Sequence, residues 1–153
     1  TSVSRGLGDV YKRQNYGSAK MAMVGLMNTL KIEGQKYNIH TNSITPVAYT
    51  RMTDGLLPEE AGKSLQPQYV TPAVIYLSGD DAPNGAIVSA GAGVFSRIFI
   101  HETDGVSLGL GEEMTPENIA ASWDSISDMK GAKALQSGPE QSIKIFEKLN
   151  QSD

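Results

Sequence analysis

The stretch from Tyr16 to about Gln35 constrains the fold most. Met21, Val24, Met27 and Leu30 recur at three-residue spacing, and Ala22, Met23 and Leu26 widen the stripe. This pattern predicts an amphipathic helix. Its apolar face is broader than one neighbour needs, so the helix asks for cover on more than one side. Gly17 and Gly25 cost helix propensity but would let a second helix approach closely, as in ordinary core packing or in a dimer seam. Gly34 or Asn38 can end the helix.

The same helix opens on Asn15-Tyr16-Gly17-Ser18-Ala19-Lys20. Residues four apart share a helix face, so the phenol of Tyr16 and the ammonium of Lys20 lie one above the other. A nearby positive charge favours phenolate and draws a tyrosine pKa down from about 10 towards the range of an acid/base catalyst. Taken alone, the spacing also suits a half-buried tyrosine on a solvated helix.

Composition narrows the class. The 153 residues suffice for one domain, and 39% hydrophobic with 20% charged residues suit a soluble globular protein. A net charge of -4 argues against a nucleic-acid partner, which wants a basic face. The chain has no cysteine, which removes disulfides, thiolate nucleophiles and cysteine-held metals and fits a reducing compartment. His40 and His101 lack ligand spacing, so no metal site is expected. No apolar run approaches the roughly 20 residues of a membrane span, and Arg5, Asp9, Lys12 and Arg13 interrupt any signal-peptide core.

Ser4 to Gln14 (SRGLGDVYKRQ) shows neither helical nor strand periodicity, and Gly6 and Gly8 suggest a loop. The string resembles the translation of a transposase sequencing adapter. Residues 1–14 are therefore expected to be a scar, with native sequence from about Asn15 and the upstream half lost.

Downstream, Asn38 to Thr45 reads as a strand with Ile39, Thr41, Ser43 and Thr45 on one face, ended by Pro46. The loop from Pro46 to Thr53 leaves the carboxyl end of that strand, where open α/β sheets place ligands. Asp54 to Ala61 is loop or short helix. Pro72 suits the first turn of a helix reaching Leu77. Asn84-Gly85 is a turn before a second strand, Ile87 to Ala90, and Gly91 and Gly93 mark close backbone approach. Val94 to Ile100 continues as a polar–apolar stretch, with Asp104-Gly105 as another turn. Thr115-Pro116-Glu117 starts a helix running to Met129, Lys130 to Gly138 is a polar linker, and Pro139 to Leu149 is a terminal helix with Ile143, Phe146 and Leu149 at period three.

The helix opening N-Y-G-S-A-K, the strand N-I-H-T-N-S-I-T and the loop P-V-A-Y-T-R-M resemble, in order and spacing, the second half of a short-chain dehydrogenase/reductase. The tail segments L-Q-P-Q-Y-V-T-P-A-V-I-Y-L, S-A-G-A-G and T-P-E-N-I-A-A-S-W are similar to the (3R)-hydroxyacyl-CoA dehydrogenase domain of type 2 peroxisomal multifunctional enzymes and their bacterial relatives. The resemblance runs from Asn15 to about Leu149.

It implies an α/β fold: the C-terminal half of a Rossmann-type doubly wound parallel sheet, carrying its last two strands. The expected division is a dehydrogenase part over 15–110 and a helical extension over 111–153. Tyr16 would be the general acid/base. Lys20 would lower its pKa and bind the nicotinamide ribose of NAD or NADP. Pro46, Val47 and Thr50 would border the nicotinamide. The family usually has glycine after that proline and its threonine one place later, so Val47 and Thr50 carry over less firmly than Tyr16 and Lys20. Asn42 and Ser43 read as structural, and Met52, Leu56 and Leu57 as a loop over substrate or ordinary packing.

The family's glycine-rich turn, cofactor-choosing residue, catalytic asparagine and catalytic serine do not occur in their places. The serine's position falls on Val3, and neither Ser2 nor Ser4 takes its role. The expected function is oxidation of a 3-hydroxyacyl-CoA, inactive as truncated, with the apolar helix face exposed and a homodimer in the full-length form. Alternatives are a reductase of another carbonyl substrate or a non-catalytic CoA/lipid-binding or dimerisation module. The final Gln-Ser-Asp is not a peroxisomal S-K-L address, which makes a bacterial cytoplasm the default and a peroxisomal matrix the eukaryotic option.

Overall fold

A computed structural model describes residues 5–51 and 58–150. The chain divides into two units, one through Ile98 and one from Phe99. This boundary lies upstream of the 110/111 division expected from the sequence.

Helix α1 spans Arg5–Gln35. It begins well before Tyr16, so the loop expected around Gly6 and Gly8 is helical instead. Once a helix is nucleated, each added residue brings a hydrogen bond, and a glycine costs only about 1 kcal/mol against that. The end matches expectation. Asn38 takes a left-handed φ of 57°, Asn38 N–H donates to the Gln35 carbonyl at 3.1 Å, and Ile39 N–H donates to the Gly34 carbonyl at 3.1 Å. These two bonds form a Schellman cap.

Strand β1 is Ser43–Pro46, shorter than the run expected from Asn38. Thr41 and Asn42 bond instead to the turn before the next strand: Thr41 N–H donates to Asn84 Oδ1 at 3.0 Å, and Asn42 Oδ1 accepts from Ala86 N–H at 2.8 Å. Helix α2 (Glu59–Ser64), a 3-10 turn (Pro67–Tyr69) and helix α3 (Thr71–Leu77) lead to strand β2 (Ile87–Gly91). Pro72 sits in the first turn of α3, where a missing N–H costs nothing.

Strand β2 pairs parallel with β1, Ile44 opposite Val88. It also pairs antiparallel with β3 (Val94–Ile98), Ala90 opposite Phe95. The sheet is therefore α/β and mixed, with three strands in the order β1-β2-β3, where two parallel strands were expected. The missed strand follows from Ala92 and Gly93, both left-handed at φ 50° and 75°. Positive φ at both central residues makes a two-residue hairpin reversal, usually signalled by Asn-Gly or Asp-Gly. Alanine in the first position hides that signal.

The core is small. Val70, Ala73 and Ala90 are buried, with Ile44, Ala48 and Val88 packed against them. Strand β2 runs through its middle, and Gly91 is required there: an added Cβ would lie 2.7 Å from the Val47 carbonyl oxygen. On α1 the buried line is Met27, Lys31 and Gly34. Met21, Met23, Leu26 and Leu30 of the expected apolar stripe are exposed.

The second unit holds α4 (Pro116–Ala121), α5 (Trp123–Ser127) and α6 (Gly138–Asn150). The single helix expected to reach Met129 breaks at Ser122. The Thr115 side chain caps α4, accepting from Asn118 N–H at 3.2 Å. None of the described residues of this unit is buried.

Candidate functional site

The i, i+4 spacing of Tyr16 and Lys20 on α1 brings the two side chains together. Lys20 Nζ lies 5.4 Å from the centroid of the Tyr16 ring, within cation–π range. The ammonium thus meets the ring. Tyr16 is 65% exposed and Lys20 is also exposed, so a ligand can reach both. No added Cβ at Gly17 or Gly25 would meet an atom within 4 Å, which leaves this part of the helix open to a neighbour.

Pro46 and Val47 stand at the carboxyl end of β1, and both are exposed. Val47 N–H is already spent, donating to the Ala90 carbonyl at 2.8 Å. It extends the β1–β2 ladder by one bond and is therefore not a free donor for a carboxamide. The loop beyond is anchored at Tyr49, whose N–H donates to the Leu65 carbonyl at 2.6 Å. The Tyr49 ring packs over Gly62, where a Cβ would sit 3.2 Å from ring carbons. Thr50 follows this anchor and is exposed. Met52, Leu56 and Leu57 lie outside the described residues.

Asn42 and Asn84 tie the frame behind the loop. Asn42 Nδ2 donates to the Pro83 carbonyl at 2.6 Å, and Asn84 Nδ2 donates to the Lys31 carbonyl of α1 at 3.0 Å. Between them Gly85 has φ 81°, and a Cβ there would lie 2.5 Å from Lys31 Cδ. The Asn84-Gly85 turn thus joins α1, β1 and β2, and the structural reading of Asn42 holds. Sequence reasoning marked the turn but not that it docks α1.

No family model matches the chain. A protein of Mycobacterium tuberculosis described as a short-chain type dehydrogenase/reductase is 41% identical over 134 residues, 87% of this chain and 46% of that protein. Peroxisomal multifunctional enzyme type 2 of Mus musculus is 37% identical over 155 residues, all of this chain and 21% of that protein. The resemblance to the short-chain dehydrogenase/reductases holds. Full-length peroxisomal multifunctional enzyme type 2 from Drosophila melanogaster superposes with a TM-score of 0.76 at 31% identity, over 90% of this chain and 25% of that one. The chain therefore spans less than half the length of these relatives. The murine alignment includes residues 1–14, where the sequence reading ended the resemblance at Asn15.

Dehydrogenase relatives imply a nicotinamide cofactor in general. Two separate sets of residues have chemistry suited to parts of such a molecule. An exposed phenol and ammonium on one helix face can meet hydroxyl groups, and an exposed Pro46–Val47 strand end offers an apolar edge. Nothing in the 153 residues reads as a strand, glycine-rich turn and helix suited to a pyrophosphate.

Proposed function

We propose that this chain is the C-terminal, Rossmann-type half of a short-chain dehydrogenase that oxidises a 3-hydroxyacyl-CoA to the 3-oxoacyl-CoA. The observation that supports this most is the paired, reachable Tyr16 and Lys20 on one face of α1. NAD or NADP, when bound, would supply the acceptor for the hydride of the carbinol carbon. Tyr16, as phenolate, takes the hydroxyl proton. Lys20 stabilises the phenolate by its charge and would hold the cofactor by donating to its ribose hydroxyls. Pro46, Val47 and Thr50 would border the nicotinamide. With no pyrophosphate cradle of its own, the 153-residue chain binds dinucleotide weakly and does not turn over. Residues 1–14 remain our candidate for a non-native segment, testable by whether codons 4–14 of the source DNA read as adapter.

The test joins the uncovered amino-terminal part of the mycobacterial relative to this chain from Asn15. That hybrid should reduce nicotinamide with a 3-hydroxyacyl-CoA, and Tyr16→Phe should cost orders of magnitude in rate with little change in cofactor affinity. The exposed Met21, Met23 and Leu26 favour a second reading, a dimerisation or CoA/lipid-binding module, with the full-length protein a homodimer through α1. An active hybrid indifferent to Tyr16→Phe would overturn the catalytic reading and leave the second. The expected location is a bacterial cytoplasm, or a peroxisomal matrix in a eukaryote.

A further inference from the structure

The second unit has a spine. Glu102, Thr103 and Asp104 form a short segment that bridges antiparallel to Lys133, with Glu102 N–H donating to the Lys133 carbonyl at 2.9 Å. Side chains alternate along an extended chain, and here the alternation is used. Thr103 Oγ1 donates to the Ile126 carbonyl of α5 at 2.6 Å. Glu102 and Asp104 reach α6 instead. Lys144 Nζ lies 2.6 Å from Glu102 Oε1 and Lys148 Nζ 2.5 Å from Asp104 Oδ2. Gln141 Nε2 also donates to Glu102 at 2.8 Å, and Lys144 to the Thr103 carbonyl.

The two rungs match in length. Four residues of helix rise about 6 Å, and two residues of extended chain span about 6.6 Å. The helix otherwise has little to hold it. No residue of α6 is buried, and Ile143 and Phe146, expected at period three as its apolar stripe, are exposed. Between α6 and residues 102–110 lies a cavity of about 330 Å³, lined in part by Val106, Leu110, Ile145 and Leu149.

We propose that α6 is a strap over this cavity, latched by the Glu102–Lys144 and Asp104–Lys148 pairs and loosened by ionic strength while the first unit stays folded. Ion pairs near the surface weaken as salt shortens the screening length, to about 3 Å at 1 M. The Lys144 hydrogen bond, and then that of Gln141, hold the Glu102 carboxyl below its ordinary value. The Lys148 hydrogen bond and charge do the same for Asp104, with Lys144 and Lys133 adding to them. The latch is therefore closed throughout the neutral range, and salt is its lever.

Amide hydrogen exchange on the whole chain tests this. Raising salt to about 1 M should speed exchange in α6 about fivefold or more, the scale of two partly exposed pairs, while β2 is unchanged. Lys144→Gln with Lys148→Gln should reproduce that at low salt. Exchanging one rung, Asp104→Lys with Lys148→Glu, should restore protection and its salt dependence. The proposal is overturned if α6 is indifferent to salt and to the double substitution, if β2 opens together with α6, or if the exchanged rung fails to restore protection.

Discussion

The two units are held by different forces. In the first, order comes from backbone ladders, close glycine contacts and a small apolar core of Val70, Ala73 and Ala90. In the second, none of the described residues is buried, and the polar ties of Glu102–Asp104 reach α5, α6 and Lys133. Close packing responds to volume, since interiors leave few voids. Ion pairs respond to charge state and salt. The same small perturbation should therefore damage one unit and spare the other.

The largest effect is expected at Gly91. A Cβ there would meet the Val47 carbonyl oxygen at 2.7 Å and Val47 Cβ at 2.9 Å. Backbone cannot give way as a side-chain end can. Gly91→Ala should cost about 3 kcal/mol, the upper end of overpacking, read as loss of exchange protection in β1 and β2 with α6 unaffected. Equal loss in both units would erase the distinction drawn between them.

Asn42→Ala should come next. Its side chain accepts from Ala86 N–H and donates to the Pro83 carbonyl. Removing it strands one part-buried donor and one acceptor, at about 2 kcal/mol. Denaturant unfolding of the first unit's signal would show it, and Asn42→Asp should restore the acceptor half alone. An Asn42→Ala chain as stable as the parent would move the weight to the Asn84 ties.

What could be read from the sequence follows the same division. The end of α1, the Asn84-Gly85 turn and the Thr115 cap are local, each set by one or two residues whose conformational preference is intrinsic. The Tyr16–Lys20 contact was legible for the same reason, being one helical turn. Strand β3 was not, because Ala92 carries a conformation usually given to Asn or Gly. The Glu102–Lys144 and Asp104–Lys148 pairs join residues 42 and 44 apart. No pattern within a helix or strand window reaches that far, so α6 showed only its period-three apolar positions, of which the structure leaves Ile143 and Phe146 exposed and Leu149 half-buried against the cavity.

The smallest effect on global stability should be the acid limb of the second unit. A carboxyl whose pKa is depressed by folding contributes stability that is whole above its unfolded value and is lost as pH falls through the folded one. Glu102 and Asp104 are both of this kind, held down chiefly by Lys144 and Lys148 from ordinary values of 4.5 and 3.8. The loss should therefore begin near those values and continue below them, with none between pH 5 and 8. The comparison is with Glu102→Gln/Asp104→Asn, which lacks both carboxyls. The difference in α6 exchange between parent and variant should be flat at neutral pH and close as acid protonates the parent. A constant difference down through the acid limb would mean that shape and hydrogen bonding, not charge, hold α6, and the contrast between the two units would then rest on packing alone.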